Sequence, residues 1–240
     1  METFKKMPWQ MVEKSRIITG RSAKRIYGSL ERSEGLVRMI KTEIMSVELE
    51  FESNETVFSP SSIDEGTLSM LSQVQFQPND KVLDLGCGYG VVGILASRLI
   101  GEENVTICDI SEEAILLSRR NAARNQVPDI RIVKSDGLRD IGEEDFTLIL
   151  SNPPYHVDFS VPKEFIESGF RKLIVGGKML MVTKRKTWYQ NKLTAVFGGV
   201  KVIEVNGYFV FIAEKRSMKP QIKPKNKTGL SKKLQRKRGK

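Results

Sequence analysis

The sequence has 240 residues, 40% of them apolar, with 39 Lys and Arg against 29 Asp and Glu for a formal charge of +10. That length and apolar content are enough for one hydrophobic core without metal or disulfide support, so one domain with extensions is expected. Cys87 and Cys108 form no CxxC pair, the longest apolar stretches, such as Val91 to Ala96, fall far short of the roughly 20 residues of a membrane span, and Met1 to Gln10 lacks a signal-peptide apolar core; these features argue against a metal site, a disulfide framework, secretion and membrane insertion, and fit a reducing cytoplasm.

The charge is unevenly placed. Twelve Lys or Arg and no acid follow Glu214, and residues 1–45 hold ten bases against five acids. The segment 46–214 is left with 17 bases and 24 acids, a balance of −7. An acidic body between basic ends fits a catalytic core with electrostatic arms for a polyanion; a solubilising tail is the simpler alternative.

In chain order, residues 1–45 read as a basic, helical N-terminal extension, with apolar residues at spacings that permit helices but show no strong period. Val47, Leu49 and Phe51 alternate with Glu48, Glu50 and Glu52, the period of a half-exposed strand, and a second short strand is expected over Thr56 to Phe58. From Lys81 strands and helices alternate, the layout of a parallel sheet covered on both faces. Strands are expected at Lys81–Leu85, Val105–Asp109, Ile130–Lys134, Phe146–Leu150 and Lys178–Thr183. Between them, helices are expected at Val91–Ile100, from the Ser111 cap to about Asn125, across Phe165–Leu173 with Gly176 and Gly177 as its stop, and at Thr187–Phe197. Val200–Val205 and Tyr208–Glu214 flank Asn206-Gly207, which predicts an antiparallel hairpin closing the sheet. Residues 215–240 lose the apolar pattern and read as a basic, disordered tail.

Val82-Leu83-Asp84-Leu85-Gly86-Cys87-Gly88-Tyr89-Gly90 ends a buried strand in a turn whose glycines let a ligand approach the backbone. The dinucleotide pattern GxGxxG fails at Val91, so a ligand without a pyrophosphate is expected, with Asp84 placed to attract a cation. Asp109 ends the next strand, where a carboxylate can accept both hydroxyls of a ribose, and Ser135-Asp136-Gly137 ends the third, where an acid can receive an adenine amino group.

Ser151-Asn152-Pro153-Pro154-Tyr155-His156 follows the fourth strand. Two prolines fix the turn and remove two backbone donors, leaving the carbonyls of Asn152 and Pro153 as acceptors. An amine conjugated to a ring is a poor nucleophile. If Asn152 and Pro153 hold its two hydrogens, its lone pair can turn toward an electrophilic methyl, while Tyr155 offers a stacking face. His156, the only histidine, fits a loop-shaping hydrogen bond better than a general base.

Together the strand-end acids, the glycine turn and the Asn-Pro-Pro-Tyr loop resemble the class I S-adenosylmethionine (SAM)-dependent methyltransferases, over roughly residues 55–214. That resemblance implies a Rossmann-like α/β fold, a seven-stranded mostly parallel sheet with a C-terminal antiparallel hairpin and helices on both faces. It implies SAM contacts at Asp84, Gly86, Cys87, Gly88, Gly90, Asp109, Ile110, Asp136, Gly137 and Asn152, and methyl transfer at Asn152, Pro153 and Tyr155. The segment Val57 to Thr67, together with Lys192–Gly198 and Gly207-Tyr208, is similar to the RsmC-type ribosomal RNA guanine-N2 methyltransferases, which implies an RNA substrate, ribosomal in particular. Adenine-N6 methylation of transfer RNA or DNA, glutamine methylation of a protein, and an RNA-binding assembly factor that retains SAM remain open alternatives.

Overall fold

A computed structural model describes residues 37–57, 59–154 and 158–220. The first two strands, β1 (Arg38–Ile44) and β2 (Val47–Ser53), pair antiparallel with Arg38 opposite Ser53. Residues 38–44 are thus strand, where the end of a helical extension was expected; residues 1–36 lie outside the described residues. β2 is the strand expected from Val47, Leu49 and Phe51, and the turn before it explains why the sequence hid β1. Met45 and Ser46 both have positive φ, 52° and 62°, a geometry usually signalled by Asn-Gly, and neither residue carries that signal.

Of the strand expected over Thr56 to Phe58, Thr56 and Val57 lie instead in a turn, and Phe58 lies outside the described residues. The Asn54 side chain takes hydrogen bonds from Thr56 N at 3.0 Å and Thr56 Oγ1 at 2.6 Å, which bends the chain away from a ladder. Helix α1 (Glu65–Leu71) follows, capped by Asp64, whose Oδ2 accepts from Thr67 N at 2.8 Å.

Then come β3 (Val82–Leu85), α2 (Val91–Ile100), β4 (Val105–Asp109), α3 (Glu112–Arg124), β5 (Arg131–Lys134), β6 (Phe146–Ser151), α4 (Ser160–Lys172), β7 (Leu173–Thr183), α5 (Lys186–Phe197), β8 (Lys201–Val205) and β9 (Tyr208–Glu214). They build a seven-stranded sheet in the order β5-β4-β3-β6-β7-β9-β8. Strands β3 to β7 run parallel, and β9 runs antiparallel to both its neighbours. The terminal hairpin turns at Asn206 and Gly207, with φ of 50° and 76°, as its sequence predicts. One apolar layer, with Met70, Ile94 and Leu117, covers the face under α1 to α3; Ile166, Phe170, Leu193 and Phe197 cover the other under α4 and α5. The chain moves outward from β3 to β5 and returns to β6 on the other side of β3. A crevice therefore opens at the carboxyl ends of β3 and β6, the usual ligand position in open α/β sheets.

Gly176 and Gly177 do not end the preceding helix. They lie inside β7, where the pairing with β6 shifts register between Phe146 and Leu148. Gly176 N donates to Lys215 O at 2.8 Å and Lys215 N donates to Gly177 O at 2.9 Å. The Lys215 side chain is buried, with Nζ donating to Leu173 O at 2.6 Å and lying 5.0 Å from the centre of the Phe170 ring. The packed chain therefore extends past the expected boundary at Glu214, and residues 221–240 lie outside the described residues.

Two asparagines of α3's face fasten the β1–β2 pair to the main sheet. Asn121 accepts from Glu52 N at 2.7 Å and donates to Glu52 O and Tyr89 O, each at 2.9 Å. Asn125, at the C-cap, repeats the pattern on Glu50. Side-chain amides thus satisfy an edge strand that no backbone reaches. Asn121 is fully buried, so Asn121→Ala should leave three backbone groups unpaired and lower unfolding stability by about 2–3 kcal/mol. Urea unfolding is the check, with the midpoint falling at unchanged slope.

Candidate active site

β3 delivers its last residues to the crevice and the chain turns through Gly86, Cys87 and Gly88. Gly86 N and Cys87 N donate to Cys108 O at 2.9 and 3.0 Å, fixing the turn to β4. Gly88 N donates to Asp109 Oδ2 at 3.0 Å, and its φ of +56° suits a residue without a side chain. Nothing lies within 4 Å of where a Cβ at Gly88 would stand, so that side of the loop is open to a ligand. Asp109 Oδ1 meanwhile accepts from Ser111 N at 2.9 Å, at the start of α3.

The crevice is a cleft of about 360 Å³, within the size range of small-molecule sites. Among the described residues that line it are four carboxylates, Asp64, Asp84, Asp109 and Asp136, and no Lys or Arg. Such a lining repels a pyrophosphate and attracts a cation. Asp84 is buried, and its Oδ2 accepts from Gly93 N at 2.9 Å. Burial raises its pKa from 3.8 to about 7, against the lowering effect of the Gly93 hydrogen bond, and Asp109 raises it further. Burial also raises the Cys87 and Cys108 thiols, Cys108 to about 12, so both are held as neutral thiols rather than nucleophiles. Ile110 lines the cleft with 64% of its surface exposed, an apolar platform beside Asp109. Asp136 is exposed and pairs with Arg139 at 2.7 Å.

Asn152 stands directly after β6, across the cleft from the glycine turn. Its Nδ2 donates to Asp64 Oδ2 at 2.7 Å and to Thr67 Oγ1 at 2.9 Å. A carboxylate can only accept here, so this pair settles which end of the amide is nitrogen and turns Oδ1 away from α1. Ser151 Oγ donates to Leu85 O at 2.8 Å and ties the same loop to the end of β3.

The sequence pattern of the methyltransferase small domain matches residues 48–213. The chain belongs to that family. Among its relatives, the ribosomal RNA small subunit methyltransferase C of Hamiltonella defensa subsp. Acyrthosiphon pisum is 36% identical over 157 residues, 64% of this chain and 46% of that protein. The ribosomal RNA large subunit methyltransferase G of Psychromonas ingrahamii is 29% identical over 181 residues, 72% of this chain and 47% of that protein. A solved structure of the T. thermophilus 16S rRNA N2 G1207 methyltransferase RsmC, in complex with AdoMet and guanosine, superposes with a TM-score of 0.68 at 28% identity, covering 76% of this chain and 52% of that one. The chain spans about half the length of the relatives it matches. The fold is thus the Rossmann-like α/β arrangement of this methyltransferase family. No described helix is long and apolar enough to cross a membrane, and no group of three or more His, Cys, Asp and Glu among the described residues could hold a metal ion.

The cleft brings together Asp84, Gly86, Cys87, Gly88, Asp109, Ile110, Asp136, Gly137 and Asn152. It does not include Gly90 or Pro153. Gly90 caps α2 and packs toward Ile94, and Pro153 is buried beside Asn152. Tyr155 and His156 lie outside the described residues. Sequence reasoning missed Gly93, whose spacing fits no fingerprint, and Phe165, which comes from a helix 80 positions downstream of Leu85 and packs 3.7 Å from a Cβ placed at Gly86. It also missed that Asp64 and Thr67 grip Asn152, though the acid and the helix start were visible.

The raised pKa of Asp84 has a definite sign. Between pH 4 and pH 7 the folded chain holds a proton there that the unfolded chain has released, so this group favours folding less as pH rises. Asp84→Asn keeps an acceptor for Gly93 N and removes the titration. The difference in unfolding free energy, variant minus wild type, should grow through this window by up to about 4 kcal/mol and level off above pH 7. Urea unfolding of both proteins at a series of pH values tests it, and parallel curves would count against it.

Proposed function

We propose that the chain is a SAM-dependent methyltransferase acting on an exocyclic base amine of RNA, with guanine N2 of ribosomal RNA as its target. One observation carries this reading above the others: the Asn152 amide is held at a fixed orientation by Asp64 and Thr67, at the mouth of a cleft lined by carboxylates alone among its charged groups. The relatives named for ribosomal RNA methylation, and the neighbour solved with AdoMet and guanosine, support the same substrate class.

The residues present fit SAM, whose sulfonium and ammonium are cations. Asp84 would draw the amino-acid end, Asp109 would take the ribose hydroxyls, Ile110 would cover the adenine, and Asp136 with the Gly137 backbone would meet its edge. Bound there, SAM supplies a methyl on a positively charged sulfur. Asn152 Oδ1 and the Pro153 carbonyl then accept the two hydrogens of the guanine amine and turn its lone pair toward the methyl. On transfer the methyl would exchange its bond to sulfur for one to the amine nitrogen, whose proton would leave to water. Tyr155 supplies the stacking face for the extruded base.

Digesting RNA methylated by this protein to nucleosides and identifying the product by mass and chromatography is the direct test. N2-methylguanosine is the expected product; N6-methyladenosine, or methylation only of a protein glutamine, would replace the guanine assignment, and no transfer to any substrate would leave a SAM-holding binding protein.

Within this mechanism Asn152→Ala should abolish most turnover while SAM affinity, measured by calorimetry, stays within a few fold. Asp64→Asn should retain the helix cap yet lose the acceptor-only partner that orients Asn152. Its kcat should fall by roughly tenfold, about 1.4 kcal/mol of barrier, with little change in SAM affinity. A wild-type rate in single-turnover experiments on either variant would remove this pair from the mechanism.

The basic tail carries a separate expectation. A chain ending at Pro220 keeps the packed Lys215 and removes nine Lys and Arg. It should fold and bind SAM as the full chain does, while its RNA affinity depends less steeply on salt, by about 0.7 for each phosphate that the tail neutralises. An unchanged slope would make the tail a solubilising segment.

A further inference from the structure

Three consecutive cations, Lys184, Arg185 and Lys186, occupy the turn from β7 into α5. All three are exposed. Ser151 pairs with Met181 across β6 and β7, so Asn152 stands level with Val182. Lys184 is two residues further on, about 7 Å along the strand and about 5 Å across from the methyl-transfer loop. Phe159 closes the link from the other side, stacking on Trp188 at 4.5 Å and lying 5.0 Å beneath the Arg185 guanidinium.

The three cations have an unusual set of partners. Lys184 lies 4.7 Å from the centre of Tyr208, Arg185 lies over Phe159, and Lys186 lies 5.1 Å from the centre of Phe209. None of them is in an ion pair among the described residues, although ten other Lys and Arg side chains are. A carboxylate partner would neutralise the charge it positions. An aromatic face restrains a cation and leaves its charge available to a second, anionic partner.

The place of these charges also works against the fold. They sit at the positive end of α5, where basic residues are unfavourable by about 0.3–1 kcal/mol each. The start of α5 has no side-chain cap and no acid in its first turn, whereas α3 begins with Ser111, Glu112 and Glu113. Cations packed at a helix N-terminus, on a domain of net charge −7 over residues 46–214, are better explained by an anion they receive than by stability.

We infer that Lys184, Arg185 and Lys186 form a ring-braced rim that binds the phosphates of the RNA strand flanking the nucleotide being methylated. The inference rests on the proposed function and adds the surface by which a polyanion is held against an otherwise acidic domain. The rim lies on the carboxyl edge of the sheet, beside Asn152. A base entering the cleft therefore leaves its own backbone within reach of these side chains. The acids inside the cleft repel phosphate, the cations outside attract it, and the gradient between them admits the base while the backbone stays out.

The test is a triple substitution, Lys184→Gln, Arg185→Gln and Lys186→Gln, assayed by fluorescence anisotropy on a labelled guanine-containing single-stranded RNA of about twelve nucleotides. The slope of log affinity against log salt should become shallower by about 2, at about 0.7 per phosphate. KM for RNA should rise at least tenfold with kcat at saturating RNA held within a few fold, and SAM affinity should stay unchanged. Lys184→Gln and Lys186→Gln alone should each remove about a third of the slope change. As a control, Lys178→Gln with Lys201→Gln removes two exposed cations that lie on β7 and β8, back from the carboxyl edge, and should leave the slope as it was. If the wild type methylates RNA and the triple variant keeps its slope and KM, the rim assignment is overturned and the proposed function stands. If the control lowers the slope equally, the effect is diffuse charge and the rim is again overturned. A wild type that neither binds nor methylates any RNA overturns the proposed function, and this inference with it.

Discussion

A Cβ at position 93 would stand 2.0 Å from Ile107 Cγ2, so α2 can lie where it does on the sheet only because residue 93 is glycine. That close approach brings Gly93 N within 2.9 Å of Asp84 Oδ2. A buried carboxylate is thereby tied to the first turn of a helix, and with it the end of β3 and the glycine turn are held in place. From that turn Gly88 N reaches Asp109, and Asp109 in turn holds the start of α3. The dinucleotide fingerprint reserves its third glycine for helix–strand packing. Here the same physical need is met three residues after Gly90, and the loop that results has acids where the other would require a phosphate.

Charge is divided by position rather than mixed. The cleft is acidic inside, with Arg139 paired to its Asp136, while three exposed cations on the carboxyl edge of the sheet beside Asn152 are held by rings instead of carboxylates. Under the proposed function, such a division would let one domain take a cationic cofactor and a polyanionic substrate through neighbouring surfaces. Inside the cleft the cost of gathering carboxylates falls mainly on Asp84, whose raised pKa reflects burial, with Asp109 adding to it. A cationic ligand would relieve that cost on binding, which couples affinity for the ligand to the charge state of a residue at the bottom of the site.

Much of this was legible in the sequence because the signals were local. The strand–helix alternation from Lys81, the Ser111 cap, the Asn206-Gly207 turn and the acids closing three strands each depend on residues within one element or its boundary. What escaped depends on partners far along the chain. β1 was hidden because its turn uses Met45 and Ser46 at positive φ without glycine or asparagine, and because Lys41 and Glu43 alternate with Ile40 and Thr42 in a way that reads as polar. Gly176 and Gly177 look like a helix stop, but they serve a bulged strand that makes room for Lys215. Gly93 could have been found by asking which helical glycine faces a β-branched residue of the next strand. The Asn121 and Asn125 contacts, made 69 and 75 residues away, carry no sequence pattern at all.

The Asp64–Asn152 contact joins these two kinds of information. Asp64 is legible as a helix cap and Asn152 as a loop acceptor, 88 residues apart, but only the fold makes them one unit. Its consequence for specificity follows from geometry. An asparagine free to flip presents oxygen or nitrogen to the cleft with similar ease, and a nitrogen there would repel an amine's hydrogens. A carboxylate on one side of the amide removes that choice before any substrate arrives. Because the same Oδ2 also caps α1, the orientation of Asn152 is coupled to the integrity of that helix, and α1 packs on the sheet through the fully buried Met70 and Leu71. Under the proposed function, the acceptor that would select an amine is thus preorganised through a helix packed on the hydrophobic core, before the base enters.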